Sequence, residues 1–105
     1  MKLRLSEKHL CFRLTRDEAK ALLSSHNAQA VLYFPDGATL SYAIACTDVI
    51  ADFSLAYQPG NIQLFVPAPS LNALIACPTK DGLVGRYEVG DKTVVFSLEI
   101  NLRSL

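Results

Sequence analysis

Lys2, Arg4 and Arg13 are the residues of this chain whose types and spacing come nearest to a binding site. Lys2 and Arg4 alternate with Leu3 and Leu5, and Arg13 lies between Phe12 and Leu14, so all three take the non-core parity of adjacent strands. A guanidinium presents a planar fork of donors that a carboxylate or phosphate accepts at two points, so clustered cations of this kind suit a small anion. The same positions also suit a wetted sheet face, where charges keep a protein soluble and blunt an edge. His9 and Cys11 stand two apart in one strand pattern and share a face, the minimal geometry for two metal ligands. His26 falls in a polar stretch, and Cys46 and Cys77 have no ligand spacing, so the sequence implies no metal and no cofactor. A Cys–His nucleophile pair needs an orienting group and an oxyanion pocket, and neither can be read here, so no catalytic residue is assigned.

The remaining motifs are structural. The five glycines are dispersed, mostly at turns, and form no phosphate-cradling loop; Gly85 alone falls inside a strand pattern, where a bulge or a close backbone approach is expected. Tyr33, Tyr42 and Tyr57 have no Lys or Arg beside them and Tyr87 has only Arg86, so the four read as core residues with the hydroxyl at the rim rather than as base-stacking platforms. Phe65, between Leu64 and Val66, takes the outward parity, as do Ala56 on the neighbouring strand and Val95 on the last. These three are the candidate interaction surface, an apolar patch on the far face of the second half that suits a homodimer contact; burial under a helix is the other reading of the same pattern.

The elements that must position these residues follow from periodicity. Leu3 and Leu5, then Leu10, Phe12 and Leu14, alternate with polar residues across the turn Ser6-Glu7-Lys8 and predict a hairpin. Thr15 followed by Glu18 is a capping box, and Ala19, Leu22 and Leu23 give the helix behind it an apolar stripe. Residues 30–34 and 39–46, about Pro35-Asp36-Gly37, predict a second hairpin. The order then recurs. Phe53, Leu55 and Tyr57 precede a Pro59-Gly60 turn, Ile62, Leu64 and Val66 take the places of Leu10, Phe12 and Leu14, and Pro67 and Pro69 open a helix in which Leu71, Leu74 and Ile75 match Ala19, Leu22 and Leu23. Residues 83–89 and 93–100, about Gly90-Asp91, close the second half, with Tyr87 answering Tyr33 and Phe96 answering Tyr42.

One domain over residues 1–105 is therefore expected, with internal repeats at about 1–47 and 51–101. Each ββαββ unit is too small to form a core alone, so two should bury their faces against each other as a pseudo-two-fold α+β fold. About eight largely antiparallel strands, in a curved sheet or a barrel, would carry two short helices. The inward positions are Leu, Phe, Tyr, Ile and Val, which predicts a packed, dry interior.

Composition narrows the class. Half of the 105 residues are apolar, 19% are charged, and ten basic residues balance ten acidic ones, so no global field draws nucleic acid or an anionic membrane. Three scattered cysteines do not form a disulfide framework, which points to a reducing cytoplasm. No stretch approaches the roughly 20 apolar residues of a spanning helix, and the first residues have no signal-peptide core, so a soluble, unprocessed protein is expected.

The opening Met-Lys-Leu-Arg-Leu, the stretch Phe-Arg-Leu-Thr-Arg-Asp-Glu, Leu40-Ser41-Tyr42-Ala43 and the later Asn61-Ile62 with Val66-Pro67 resemble a family of short bacterial proteins of unknown function. Its members begin M-K-[IL]-R-[IL] and continue R-[IL]-R-L-T-[RK], and the likeness covers nearly the whole chain. The resemblance implies no activity, cofactor or catalytic residue. Members commonly end the last strand in an acidic-Lys-Asp-Phe run; Glu99 keeps the acidic position, while Ile100, Asn101 and Leu102 depart from it. Two readings of function follow. The favoured one is a non-catalytic interaction module in which an apolar face or an exposed strand edge docks a protein partner or a second copy. The alternative is a binding protein or enzyme for a small anionic metabolite held at Arg4 and Arg13.

Overall fold

A computed structural model describes residues 1–101 of the chain; Leu102 lies outside them. In chain order the elements are β1 (Lys2–Ser6), β2 (His9–Leu14), α1 (Arg16–Ser25), β3 (Asn27–Tyr33), β4 (Thr39–Thr47), β5 (Ser54–Gln58), β6 (Asn61–Pro67), α2 (Ala68–Ala76), β7 (Leu83–Val89) and β8 (Lys92–Ile100). The ββαββ order occurs twice, as the hydrophobic pattern predicts. The strands form two separate four-stranded sheets, A in the order β1-β2-β8-β7 and B in the order β3-β4-β6-β5, and they do not close into a barrel.

Each sheet takes one hairpin from each ββαββ unit. All four hairpins are antiparallel, but the central joints, β2 on β8 and β4 on β6, are parallel. The two units do bury their faces in one shared core, and they interlock to do so: the hairpins of a unit part company across its helix, one to each sheet. Parallel neighbours require a long connection: β4 reaches β6 through residues 48–60, which include β5, and everything from α1 to β7 separates β2 from β8. The joints are pseudo-symmetric down to single hydrogen bonds, with the Val95 amide donating to the Lys8 carbonyl at 2.9 Å in sheet A and Ser41 donating to Gly60 at 2.8 Å in sheet B.

The helices tie the sheets together. α1 touches β2 of sheet A and β3 and β4 of sheet B as well as α2, and α2 touches β4 and β6. Phe12, Leu14 and Leu98 from sheet A, Ile44, Leu64 and Val66 from sheet B, and Ala19, Leu22, Leu71 and Leu74 from the helices join one buried cluster. Burying each large aliphatic or aromatic side chain contributes about 1.5–3 kcal/mol. Among the described residues no helix is long and apolar enough to cross a membrane.

Local chemistry fixes the helix ends. The Glu18 amide donates to Thr15 Oγ1 at 3.1 Å and the Thr15 amide to Glu18 Oε1 at 2.8 Å, the reciprocal box read from the sequence. The Met1 ammonium also bonds the Glu18 carboxylate, and these contacts hold Glu18 below the usual carboxylate range. α1 stops at His26, whose φ of 68° is left-handed and whose amide donates to the Leu22 carbonyl at 2.9 Å. His26 is more than the polar-loop residue that the sequence suggests. Its Nδ1 lies 3.1 Å from the Cys46 carbonyl and its own carbonyl accepts from the Cys46 amide at 2.9 Å, which pins the end of α1 to β4.

One sequence match needs correction. Phe96 does answer Tyr42, but Tyr33 does not answer Tyr87. Residues 34–38 separate the closing pair Tyr33 and Thr39, whereas only Gly90 and Asp91 separate Val89 and Lys92, so the β7–β8 hairpin slips by one residue against β3–β4 and the parity of its first strand inverts. Tyr87 points inward, 6.1 Å from the Phe96 ring, while Tyr33 points outward and is 74% exposed. Tyr57 keeps its inward parity opposite Ile62 yet is exposed as well, so neither residue is the core tyrosine expected.

Gly85 is a close approach, not a bulge. It pairs with Phe96, and a methyl group placed on it would meet the ring at 2.2 Å, where Phe53 also packs with ring centroids 5.1 Å apart. Gly85→Ala should therefore cost about 1–3 kcal/mol in urea denaturation, and Gly85→Ala with Phe96→Leu should lose less than the sum of the two single changes. Because each sheet needs a hairpin from both halves, fragments severed between Ile50 and Ala51 should each lack a cooperative unfolding transition by far-UV circular dichroism. Mixing them should restore it.

Candidate functional site

The outer face of sheet A collects the chemistry. The antiparallel β1–β2 register sets Lys2 beside Arg13, Arg4 beside Cys11 and Ser6 beside His9. The parallel β2–β8 register then sets Arg13 beside Glu99, Cys11 beside Ser97 and His9 beside Val95. On the far side β7 adds Val84 beside Ser97 and Arg86 beside Val95. Three rows of side chains thus cross the sheet, built from the first two strands and the last two.

The middle of this face is a polar floor. Cys11 and Ser97, each 3% exposed, lie under the longer side chains around them. The Cys11 thiol donates to Glu99 Oε2 at 2.6 Å, and the Arg13 guanidinium stands 3.6 Å from Glu99 Oε1. The Arg13 Nε is buried and without a hydrogen-bond partner. His9 Nε2 lies 3.1 Å from Ser97 Oγ. Two shallow depressions flank the His9–Glu99 stripe, one of about 410 Å³ lined by Arg4, Leu5, Ser6, His9, Cys11 and Glu99, the other of about 240 Å³ reaching Asp81 and Arg86.

This geometry does not activate Cys11 or Ser97 as a nucleophile. Burial first, then the hydrogen bond to Glu99, pushes the Cys11 thiol up, against smaller lowering effects of Ser97 and Arg13. A thiol held protonated is a poor nucleophile. Ser97 has a histidine neighbour, but among the described residues no carboxylate bonds the other ring nitrogen to orient it. His9 and Cys11 share a face as expected, yet no group of three His, Cys, Asp or Glu side chains among the described residues could hold a metal ion.

The predicted site residues are distributed unevenly. Lys2, Arg4 and Arg13 do come to one face, though Arg13 is engaged by Glu99. Ala56 and Phe65 lie on the outer face of sheet B, and Val95 lies on the outer face of sheet A, because the last two hairpins of the chain enter different sheets. The expectation of a shared second-half patch fails on that separation. Sequence parity misses Glu99, Ser97 and Ser6 as members of the charged face. Glu99 and Ser97 have the right outward parity, but nothing in a strand pattern tells which strand lies beside it.

Sheet B presents the opposite chemistry. Its outer face carries Asn27, Gln29, Val31 and Tyr33 from β3, Ser41, Ala43 and Ala45 from β4, Asn61, Gln63 and Phe65 from β6, and Ala56 from β5, with no charged residue among them. The edges differ too. β1 carries Lys2 and Arg4, β7 carries Arg86 and Glu88, and β5 is only five residues long, while β3 offers seven uncharged residues and pairs with β4 alone. Val31, Leu32, Tyr33 and Phe34 at its end are all exposed.

A family model described as a family of unknown function (DUF7009) matches residues 1–101. No curated protein matches the chain. For the three thiols, all free, iodoacetamide at mildly alkaline pH should label exposed Cys77 in the native protein, and Cys11 and Cys46 only as the chain unfolds. Peptide mapping checks this, and native labelling of Cys11 at the rate of Cys77 would contradict the protonated-thiol assignment.

Proposed function

The chain belongs to the family of unknown function (DUF7009), and we propose that it works as a non-catalytic interaction module that joins a second copy of itself through the free edge of β3. The observation that carries this reading is the contrast between the edges. A free edge strand presents unpaired backbone donors and acceptors, and proteins ordinarily protect such an edge with charge, brevity, proline or a bulge. β1 and β7 have charges and β5 is short, but β3 has seven residues, no charge and no proline.

The occupant follows from the same chemistry. Two β3 strands running antiparallel about a two-fold axis pair the sequence Asn-Ala-Gln-Ala-Val-Leu-Tyr with itself, so no like charges meet. Such an isologous contact uses the edge up, which closes the assembly at a dimer instead of an open chain. Val31 and Tyr33 on one face, with Leu32 and Phe34 at the other, supply apolar surface on both sides of the new joint. Ala56 and Phe65 stand on the outer face of the same sheet and extend its uncharged surface; Val95, on the other sheet, is not part of the contact.

Sedimentation equilibrium tests this directly. The wild-type chain should run at twice its monomer mass at both low and high salt, since backbone and apolar contacts are not screened. Val31→Lys should yield a monomer with an unchanged far-UV spectrum. A wild-type protein that stays monomeric to about millimolar concentration, well above the micromolar range of ordinary specific dimers, would overturn the reading. So would a Val31→Lys variant that still dimerises.

A further inference from the structure

We propose that the larger depression on the outer face of sheet A binds the oxyanion head group, carboxylate or phosphate, of a small metabolite. Arg4 is its principal contact, and Arg13 serves to cancel Glu99 rather than to touch the ligand. Charge distribution is the first support. The chain is neutral, yet the outward positions of sheet A hold Lys2, Arg4, Arg13 and Arg86 against Glu88 and Glu99. No comparable segregation exists on sheet B.

The second support is the division of labour among the partners. Among the described residues the ion pairs are Met1 with Glu18 and Arg13 with Glu99, so the Arg4 guanidinium is uncommitted at the rim of the depression. Glu99 would repel an anion there if it were bare. It is not bare, because Arg13 stands at one oxygen and the Cys11 thiol donates to the other. The remaining polar lining consists of the Ser6 hydroxyl and the His9 ring, whose Nε2 is turned to Ser97 and whose other nitrogen is left for a ligand. Leu5, 55% exposed, gives the same depression an apolar wall for the carbon skeleton of the guest. A cation would meet the Arg4 guanidinium and an acid already paired with Arg13, whereas an oxyanion meets a fork of donors with that screened acid beside it.

The arrangement has a signature that a merely solvated basic face would not give. In calorimetric titrations with inorganic phosphate, and in parallel with succinate, at constant ionic strength set by chloride, the wild-type chain should bind at least one saturably. Arg4→Ala should weaken that binding about ten- to a hundredfold, the scale of a lost charge-assisted contact. Arg13→Ala should weaken it as well by exposing Glu99, Glu99→Gln should leave it equal or tighter, and Arg13→Ala with Glu99→Gln should recover most of the loss. Far-UV spectra of the variants check that each remains folded; Arg4→Lys stands in for Arg4→Ala should that one unfold, and Arg13→Lys for Arg13→Ala, each expected to bind more weakly than wild type but to bind. Phosphate answering alone assigns a phosphorylated guest, and succinate alone a carboxylate. No saturable heat with either anion would overturn the proposal. Loss on Arg13→Ala that Glu99→Gln fails to repair would overturn the assigned role of Arg13. Because the face lies on the sheet that does not contain β3, a monomeric protein leaves this test unaffected.

Discussion

The parallel joints of β2 on β8 and of β4 on β6 carry the rest of the structure with them. Each welds a hairpin from the first ββαββ run to a hairpin from the second, so that the apolar faces of the two sheets, with α1 and α2 set against them, enclose one shared cluster. A hairpin alone is marginal in water, and gains its stability when a further strand and a covering helix bury its apolar face. Leu10, Phe12 and Leu14 find that cover opposite Phe96, Leu98 and Ile100, and Ile62, Leu64 and Val66 find it opposite Tyr42, Ile44 and Cys46. The interior is made by the joint, not by either half.

The same pseudo-symmetry makes the difference between the two outer faces informative. Where β2 has Cys11 and Arg13, β6 has Gln63 and Phe65; where β8 has Ser97 and Glu99, β4 has Ala43 and Ala45. Positions equivalent in the scaffold therefore differ in charge while the inward positions stay apolar on both sides. Packing constrains the inner parity in both copies alike, since a polar group there would be buried without a partner. The outer parity is under no such constraint and can be given over to recognition. One scaffold thus offers a charged surface and a neutral one, held apart by the core they share.

Much of this was legible before any coordinates. Alternation at Leu10, Phe12 and Leu14 or at Ile62, Leu64 and Val66 gives a strand its inner face, and Thr15 with Glu18 marks the start of a helix, because these signals are local. Neighbours in space are not local. Parity sets Phe65 and Val95 on outward faces, as observed, yet does not say that β6 and β8 belong to different sheets, so it does not separate the two. The slip of Tyr33 against Tyr87 arises likewise from loop geometry, which a one-to-one match of apolar residues does not register. His26 shows a third kind of gap: a left-handed helix end is ordinarily announced by glycine, and here a histidine takes that conformation while its ring bonds the Cys46 carbonyl.

Sheet B is drawn from one continuous run, residues 27–67, whereas sheet A joins strands from both extremes of the chain. His9 and Ser97, hydrogen-bonded across it, stand 88 positions apart. A chain leaving the ribosome can finish the neutral sheet while β8 has yet to be made, and the first hairpin must wait against α1 for its partner. Joining such distant segments costs little at equilibrium, since loop entropy grows only slowly with length, but it comes last in time. Ser97 and Glu99 arrive with β8, so the charged surface comes into being only when translation has passed the end of that strand.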